Sequence, residues 1–272
     1  MNSKTAEGFT LIELLIVIGI IGILAALLLP ALSASRASAR SITCINRLHQ
    51  MSLALQMYVD DHLSRFPYYR GTADHTYDGS VGADNTGFWW AKLMPYHPLK
   101  WTDSAYHCPG YKGAIEGITH DKAGWIGPFG SYAYNARGVI STWSTNAVVK
   151  NPTTLGLGGK GYQKAASGRI TGATSENQIS TPSEMLAIGE SRWKSQGQKG
   201  DKGGRDFMQG GMIYLNRGLW AFDPARHGKN YNQLFCDGHI SAMSPWLLFN
   251  LTNTAAMWNY DHQPHTEFWP RF

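Results

Sequence analysis

Three side chains in the last third of the chain, His227, Asp237 and His239, have the chemistry needed to bind a metal or to transfer a proton. Asp237 and Gly238 stand between two apolar-rich runs in NYNQLFCDGHISAM. Asp-Gly is a favoured centre for a tight turn because both positions accept positive φ, so we predict a β-hairpin over 230–243. The three side chains would then meet at one hairpin end as a metal site or a catalytic base. Alternatively, His227 hydrogen-bonds to the turn and holds a polar hairpin together.

The three cysteines, Cys44, Cys108 and Cys236, form an odd set without a Cys-x-x-Cys pair. Neither a disulfide framework nor a zinc knuckle is indicated by that pattern. Two interpretations stay open: three buried thiols, or one disulfide plus a free thiol if the body of the protein is exported. Cys44 and Cys108 are the candidate pair for such a disulfide.

Motifs of familiar enzymes are missing from the sequence. The run GLGGKG at 156–161 fits Gly-x-Gly-x-x-Gly, but its flanks, KNPTTL and YQKAASGR, do not have the strand and helix that a dinucleotide site needs. We therefore expect LGLGGKG, like KSQGQKGDKGGRD, to be an exposed loop. The sequence contains no Gly-x-Ser-x-Gly and no His-Glu-x-x-His. We expect a protein that is not an enzyme.

Composition indicates a folded body with an apolar appendage. The 272 residues are 43% hydrophobic and 16% charged, unlike a disordered chain. The net charge is +5, but the basic residues are scattered, so we expect no nucleic acid partner.

The apolar appendage lies at residues 9–29, and about 20 such residues match the thickness of a bilayer. Glu13 interrupts it near its start. An acid at the centre of a membrane helix costs about 2.5–3.5 kcal/mol and less near the end, so insertion stays favourable. A secretory signal cut near 34–39 or an ordinary signal anchor would leave Glu13 without a role. Charged residues inside membranes usually mark a partner or a pathway, which favours a functional acid.

The run Gly8-Phe9-Thr10-Leu11-Ile12-Glu13, followed by the apolar segment, resembles the processing motif of type IV prepilins and type II secretion pseudopilins. The resemblance implies that a membrane peptidase cuts between Gly8 and Phe9 and removes a leader, residues 1–8. It further implies that Phe9 becomes the N-methylated first residue. Glu13 would then pair with the N-terminal amine of a neighbouring subunit. A carboxylate beside an ammonium is far less costly in lipid than an isolated one, so this pairing would favour assembly and set its register.

The segment after the leader predicts one long helix over 9–61, with a transmembrane part at about 9–30 and an amphipathic stalk at about 31–61. The stalk's apolar stripe consists of Ile42, Ile45, Leu48, Leu55 and Val59. Pro30 removes a helical hydrogen bond. In pilins a glycine and a proline at the positions of Gly22 and Pro30 bound a segment that can lose helicity; the alternative is a simple kink. The end of the stalk also resembles pseudopilins, although Leu63-Ser64-Arg65 replaces the usual glycine-bearing turn.

The remaining residues, 62–272, predict a globular, loop-rich β head. SYAYNARGVIST and SEMLAIGESRW are expected to be short strands. Nine residues separate His227 from Asp237-Gly238, which resembles a His-x9-Asp-Gly signature in a subgroup of large pseudopilin-like proteins from Planctomycetes, Verrucomicrobia and their relatives. The pieces His-Cys-Pro at 107–109, SYAYN, Pro-Ser-Glu at 182–184 and WNYDHQPH match the same subgroup.

The resemblance also implies a cofactor. Major pseudopilins of the type II family bind calcium, which takes six to eight oxygen ligands. Asp237, Asp261 and Asn259 are the candidate oxygen ligands here, with His227 as a further candidate.

Together these observations predict an α+β, pilin-like fold: a long N-terminal helix packed on a small antiparallel sheet with large loop-rich insertions. The expected function is a structural subunit of a type II secretion pseudopilus or type IV pilus-like filament. Expected partners are copies of itself or other pilin-like subunits, the prepilin peptidase and methyltransferase, the inner-membrane assembly machinery, and lipid before assembly. We expect a single-pass inner-membrane protein with a periplasmic head that later enters a filament. The alternative is a filament-displayed adhesin or glycan-binding protein, because exposed tryptophans can stack on sugars.

Overall fold

The structure, a computed structural model, describes residues 10–68, 88–115, 119–121, 124–126, 129–139, 155–158, 173–190, 194–195, 207–208, 220–221, 226–228 and 230–268. The α-helices are α1 (Leu11–Asp61), α2 (Trp89–Lys92), α3 (Pro245–Leu248) and α4 (Leu251–Thr254). The strands are β1 (Thr119–Asp121), β2 (Gly124–Ile126), β3 (Tyr132–Asn135), β4 (Leu186–Glu190), β5 (Lys194–Ser195), β6 (Phe207–Met208), β7 (Trp220–Ala221), β8 (Tyr231–Phe235) and β9 (Ile240–Met243). Short 3-10 helices cover Ser104–Tyr106, Glu176–Gln178, Ala255–Trp258 and Thr266–Phe268.

Helix α1 begins with a capping box formed by Thr10 and Glu13. The Glu13 backbone N–H donates to Thr10 Oγ1 at 3.3 Å, and Glu13 Oε2 accepts from the Thr10 backbone N–H at 2.9 Å. The Thr10 hydroxyl also donates to Glu13 Oε2 at 2.8 Å. This reciprocal arrangement satisfies backbone donors that the first turn of a helix leaves unpaired. In the single chain, Glu13 therefore already has a hydrogen-bonded role.

The first part of α1 projects away from the rest of the described chain. All residues from 10 to 40 are exposed, although most of those up to Leu32 are apolar. Within the described residues, α1 is the helix long and apolar enough to cross a membrane. It continues through Pro30, and the Ser33 hydroxyl donates to the Pro30 carbonyl at 2.8 Å. The predicted transmembrane helix is thus confirmed, and a surface of this kind needs lipid or neighbouring helices to cover it.

The second part of α1 packs against the head. Its buried residues recur every three or four positions: Cys44, Leu48, Met51, Ala54, Leu55, Tyr58 and Val59. This spacing places them on one face of the helix. The predicted stripe is confirmed at Leu48, Leu55 and Val59 but is wrong at Ile42, which is exposed. The buried face passes through Cys44 instead, because α1 leaves the body just before that turn.

Helix α1 ends in a Schellman arrangement. The Ser64 N–H donates to the Val59 carbonyl at 3.0 Å, and the C-cap residue, His62, donates its N–H to the same carbonyl at 3.2 Å. Leu63, the residue after the cap, has φ 57°. Glycine is the usual residue at this position because the left-handed region strains other side chains.

The central sheet has the strand order β6-β3-β4-β8-β9. The pairs β3–β4, β4–β8 and β8–β9 are antiparallel, whereas β6 lies parallel to β3 at the edge. The pairs β1–β2 and β5–β7 form two small separate antiparallel sheets. Helix α1 lies against β8 and β9. A long helix on a small, mainly antiparallel sheet confirms the predicted α+β, pilin-like fold.

The sheet is buried on both faces. On the α1 side, Tyr132, Tyr134, Ile188 and Leu234 pack with the buried face of α1 and with the tryptophans of α2. On the other side, a second cluster contains Ala133, Leu186, Tyr231, Phe235 and Met243, together with residues of α3, α4 and the 3-10 helix Ala255–Trp258. The alternation along β3 and β8 follows the two-residue period of a strand. An irregular register between Leu186 and Ile188 shifts that alternation within β4.

The predicted hairpin over 230–243 is confirmed by β8 and β9, with Tyr231 opposite Met243 and Leu234 opposite Ile240. The turn differs from the predicted one. The Gly238 N–H donates to the Phe235 carbonyl, and the Phe235 N–H donates to the His239 carbonyl, both at 3.0 Å. Gly238 has φ +92°, whereas Asp237 is not among the described residues with positive φ. A longer loop with one left-handed glycine therefore replaces the two-residue turn.

The glycine-rich run that starts at Leu155 is not an exposed loop over its described part. Residues 155–158 are buried. Their backbone donates to the carbonyls of Asn135, Ala136 and Arg137 just after β3. A Cβ on Gly156 would lie 2.5 Å from the backbone nitrogens of Arg137 and Gly138, so this close approach requires glycine. Residues 159–161 and KSQGQKGDKGGRD from 196 onward lie outside the described residues.

Candidate functional site

The N-terminal assembly motif is described from Thr10 onward, so Gly8 and Phe9 lie outside the described residues. Glu13 stands in the first turn of α1, with its carboxylate bonded to Thr10. Gly22 and Pro30 are both exposed positions inside α1. A Cβ on Gly22 would meet no atom within 4 Å. The leader cut, the pairing of Glu13 and the melting of the Gly22–Pro30 segment stay predictions.

A second concentration of chemistry lies inside the head, where four side chains meet. The ligand atoms of Cys44, Cys108, Glu190 and His227 all lie within 4.8 Å of one another. We name these four residues the buried cluster. Glu190 has no exposed side-chain surface, and the His227 side chain is 3% exposed. In the described part of the chain, this is the group of His, Cys, Asp and Glu side chains that could hold a metal ion.

Four different segments bring the buried cluster together. Cys44 is the first buried residue of α1, and Glu190 is the last residue of β4, opposite Tyr132 of β3. Cys108 follows the 3-10 helix Ser104–Tyr106, and its backbone N–H donates to Ser131 Oγ at 2.8 Å. His227 lies shortly before β8. The cluster therefore joins the stalk, the sheet and two loops.

The contacts within the cluster converge on one point. The Cys44 thiol donates to Glu190 Oε1 at 3.4 Å, and His227 Nε2 lies 3.1 Å from that oxygen. The same nitrogen lies 3.2 Å from Cys108 Sγ. One ring nitrogen of His227 thus faces both the thiol and the carboxylate.

Arg226 places a positive charge beside the buried cluster. Its Nη1 lies 3.4 Å from Glu190 Oε1 and donates to the Ser131 carbonyl at 3.1 Å. The guanidinium also stacks over the ring of Tyr111, 4.7 Å from its centroid. Because the Arg226 side chain is only 2% exposed, it forms a buried ion pair with Glu190. Breaking a pair of this kind is strongly destabilising.

Electrostatics of the buried cluster favour charged forms of three groups. Burial disfavours a charged imidazole, but hydrogen bonds to Cys108 and Glu190 outweigh it and raise the pKa of His227 to about 9. A hydrogen bond from Cys44 and another from His227 lower the pKa of Cys108. Burial opposes ionisation of Glu190, yet His227 and Arg226 hold the pKa of its carboxyl below the usual value. In contrast, the hydrogen bond to Cys108 and burial raise the pKa of Cys44.

Outer contacts fix the orientation of the cluster. Glu190 Oε2 accepts from the Asn232 backbone N–H at 2.8 Å, and the Gly110 N–H donates to Cys108 Sγ at 3.3 Å. The Tyr132 hydroxyl lies 3.2 Å from Cys44 Sγ. Such contacts restrict the rotamers of the four side chains.

His107 holds the segment that carries Cys108. Its Nε2 bonds to the Trp101 carbonyl, and its Nδ1 accepts from the Ser131 backbone N–H at 3.1 Å. Burial lowers the pKa of His107 to about 4, so the ring is neutral at pH 7. The His-Cys-Pro piece noted in the sequence therefore contains one buried anchor and one member of the cluster.

The structure separates the residues expected at the hairpin end. His227 lies before β8, whereas Asp237 and Gly238 lie in the turn after it. Asp237 Oδ1 instead contacts His239 Nδ1 at 2.6 Å, and both side chains are partly exposed. The expectation that His227 meets Asp237 and His239, or holds their turn, is therefore wrong, because β8 stands between them.

The candidate calcium ligands have separate partners. Asn259 Oδ1 accepts from the Val139 N–H at 3.1 Å. Asp261 Oδ2 lies 2.7 Å from His265 Nε2. Asp237 bonds to His239, and His227 belongs to the buried cluster. Calcium binding by these four residues stays a prediction, and none of the contacts among the described residues supports it.

All three cysteines are free thiols in the structure. Cys44 and Cys108 meet in the buried cluster, as the candidate pair required, and a disulfide between them stays a prediction. Cys236 is separate from them, and burial raises its pKa. Sequence reasoning named Cys44, Cys108 and His227 but missed Glu190 and Arg226. The one available signal was an acid that ends the apolar strand LAIGE.

Most tryptophans whose side chains are described lie in the core. Trp89, Trp90, Trp101 and Trp258 are buried, whereas Trp246 is 70% exposed. Trp89 stacks on Tyr134, and Trp90 stacks on Trp101. These buried rings stabilise the head, whereas the side chains of Trp125, Trp143 and Trp269 lie outside the described part of the chain, so the glycan-binding alternative stays a prediction.

Comparison with known families agrees with the N-terminal motif. Residues 3–29 match the family described as prokaryotic N-terminal methylation motif. Residues 33–97 match a family described as protein of unknown function (DUF1559). No curated protein and no solved structure matches the chain. With the long apolar helix and the sheet, these matches support a type IV prepilin-like protein, as the resemblance predicted.

Proposed function

We propose that the protein is a structural subunit of a type II secretion pseudopilus or a related type IV pilus-like filament. The methylation motif at residues 3–29 supports a pilin-like filament subunit. On this proposal, prepilin peptidase removes residues 1–8 and Phe9 is N-methylated. The chain then stays anchored in the inner membrane, with its head in the periplasm, until the assembly machinery extracts it into the filament.

The observation that carries the proposal is the division of α1 into two halves. Residues up to Arg40 are exposed, and Cys44 begins the half that packs on the sheet. A 51-residue helix is roughly 77 Å long at 1.5 Å per residue, enough to cross a bilayer and still clamp a head. Lipid covers the apolar half before assembly, and neighbouring copies of the same half cover it afterwards.

Glu13 links processing to assembly. In the single chain its carboxylate caps α1 through Thr10. After cleavage, the free amine of a neighbour's Phe9 would offer a positive partner that is worth more in a low-dielectric bundle than in water. We propose that in the filament the Glu13 carboxylate bonds to this amine, either in place of Thr10 or in addition to it. This contact would set the register between neighbouring subunits.

The test is mass spectrometry of the mature N-terminus combined with electron microscopy of the native assembly. We expect a chain that starts at Phe9 with one added methyl group and that is found in filaments. Gly8→Val should leave the leader in place, whereas Ala6→Val, inside the leader, should be processed normally. An intact leader in the native protein, or a cut near Ala39, would contradict the proposal.

A further inference from the structure

We propose that Cys44, Cys108, Glu190 and His227 bind one Zn²⁺ ion that fastens the stalk helix to the head. The inference does not depend on the filament role. It assigns a task to the first residue of the His-x9-Asp-Gly signature, His227, and to the cysteine after His107.

The geometry of the four ligand atoms fits a tetrahedral site. Zinc binds sulfur at about 2.3 Å and nitrogen or oxygen at about 2.0–2.2 Å, so the edges of its tetrahedron measure about 3.3–3.8 Å. Three of the separations are 3.1 Å for His227 Nε2 to Glu190 Oε1, 3.2 Å for Cys108 Sγ to the same nitrogen, and 3.4 Å for Cys44 Sγ to Glu190 Oε1. All six separations lie within 4.8 Å, so the four side chains would have to move by at most about 1 Å to surround the ion.

A catalytic relay would require a different arrangement. In a nucleophile–base–acid relay, the histidine uses one ring nitrogen for the thiol and the other for the carboxylate. Here His227 Nε2 faces both Cys108 and Glu190. The other ring nitrogen, Nδ1, is buried and has no hydrogen-bond partner among the described residues. Convergence on one nitrogen is the arrangement of ligands around a shared ion.

Charge and ligand type also favour zinc. As zinc ligands, two thiolates and one carboxylate would carry three negative charges, and Arg226 carries one positive charge beside Glu190. Binding would therefore release the protons of Cys44 and His227. A divalent cation would bring this buried set to neutrality. Two sulfurs with one imidazole favour a borderline-soft metal such as zinc over calcium or magnesium, which prefer oxygen. Because all four places are filled by protein side chains, the site is structural, without an open position for substrate.

The outer contacts match those of a metal site. The Gly110 N–H donates to Cys108 Sγ, and the Asn232 N–H holds the second oxygen of Glu190. Ligands held in this way need little reorganisation when the metal enters. The ion would connect Cys44 of the stalk to Glu190, 146 positions further along the sequence, and to His227 beyond it, and thereby fix the orientation of α1 on the sheet.

The experiment uses the full chain purified in detergent without chelator. We expect about one zinc per chain by elemental mass spectrometry. After the zinc is replaced by Co²⁺, we expect the visible bands of tetrahedral cobalt and the ultraviolet band of cobalt–thiolate bonds. Cys108→Ser and Cys44→Ser should each weaken metal retention by about tenfold or more. Cys236→Ser is the matched control and should keep the metal.

Three results would overturn the inference. One is a native chain with reduced thiols that holds no zinc and takes up no Co²⁺. Another is a peptide map with a Cys44–Cys108 disulfide and no metal, which would establish the disulfide instead. The third is full zinc content in a folded Cys44→Ser or Cys108→Ser chain. The cobalt spectrum of the unaltered protein needs no variant, so the test stands even if a substitution prevents folding.

Discussion

The thiol of Cys44 lies 3.4 Å from Glu190 Oε1, so the stalk helix meets the end of β4 through a buried polar contact. Hydrophobic packing of the buried face of α1 holds the helix on the sheet but is not directional. A directional contact at the first buried turn of α1 favours one position, because in any other the Cys44 thiol would lose its buried acceptor. The head therefore keeps a defined orientation relative to the segment that enters the membrane.

Glu190→Ala should destabilise the head by about 3–5 kcal/mol, because it leaves the buried guanidinium of Arg226 without its carboxylate. The Asn232 N–H loses its acceptor as well. We expect a melting temperature at least several degrees lower, measured on the full chain with chelator present so that protein contacts alone are compared.

The matched control is Glu184→Ala, just before β4. Glu184 is 57% exposed on its side chain and contacts His262 Nε2 at 2.9 Å. An exposed pair contributes about 0–1 kcal/mol, so this variant should melt close to the wild type. If the two substitutions lower the melting temperature equally, the buried Arg226–Glu190 pair contributes no more to stability than the exposed pair does.

Glu13→Gln separates the capping role of this residue from its charge. The glutamine oxygen can still accept from the Thr10 N–H, so α1 should begin at the same residue and insert into membranes normally. Its neutral side chain cannot pair with a neighbour's ammonium, so filaments should be lost or greatly reduced. Electron microscopy measures assembly, and extraction of membranes at high pH measures insertion.

Glu13→Ala is the companion variant, because it removes both the cap and the charge. We expect it to fail in assembly as Glu13→Gln does, with a small additional weakening of the first helical turn of about 1 kcal/mol. Normal filaments from Glu13→Gln would mean that the capping oxygen suffices, and the proposed register pairing would be abandoned.

Lys92 gives the head a stability that rises with pH. Burial lowers the pKa of its amine from 10.5 to about 8, and Nζ lies 4.9 Å from the centroid of the Tyr68 ring. Between pH 8 and 10.5 the unfolded chain keeps a proton that the folded chain has lost, so this contribution to stability grows as pH rises. The contribution of Lys92 to stability is fully present above pH 10.5 and is lost as the pH falls through 8.

Lys92→Met should remove that dependence and stabilise the head by up to about 3 kcal/mol at pH 7. Thermal unfolding between pH 7 and 10 measures both effects. Lys100→Met, at an exposed position, is the control and should keep the wild-type slope. If the stability of Lys92→Met still rises with pH at the wild-type slope, another group is responsible for the pH dependence.

Much of the fold follows from sequence patterns that depend on one segment at a time. The apolar length predicts α1, and short apolar runs such as LAIGE predict β4. The failures involve partners far along the chain. Ile42 fits the helical period, but the head does not extend to cover it. Gly156 looks like a loop residue, yet backbone from 136–138 lies against it.

The buried cluster was less accessible to sequence reasoning for the same reason. Zinc motifs are recognised when their ligands are close in sequence, whereas Cys108 and His227 lie 119 positions apart. Only the pairing of β3, β4 and β8 brings Glu190 to these residues. The spacing of nine residues between His227 and Asp237 suggested one shared site, but an intervening strand carries the two to opposite ends.

Leu63→Gly should stabilise the end of α1 by about 1 kcal/mol. Leu63 follows the C-cap with φ 57° and is exposed, so it bears left-handed strain without burying its side chain. Glycine adopts that conformation freely and keeps the Ser64 N–H bond to the Val59 carbonyl. Part of the gain is offset by the larger backbone entropy of glycine in the unfolded chain.

Leu63→Ala is the control for this last prediction, because it removes the exposed leucine but keeps a Cβ in the left-handed region. Chemical denaturation of the full chain in detergent should rank Leu63→Gly above the wild type and Leu63→Ala near it. If alanine stabilises as much as glycine, the gain comes from removing an exposed apolar side chain and not from relieving the backbone. The difference between the two variants therefore measures the backbone strain at Leu63.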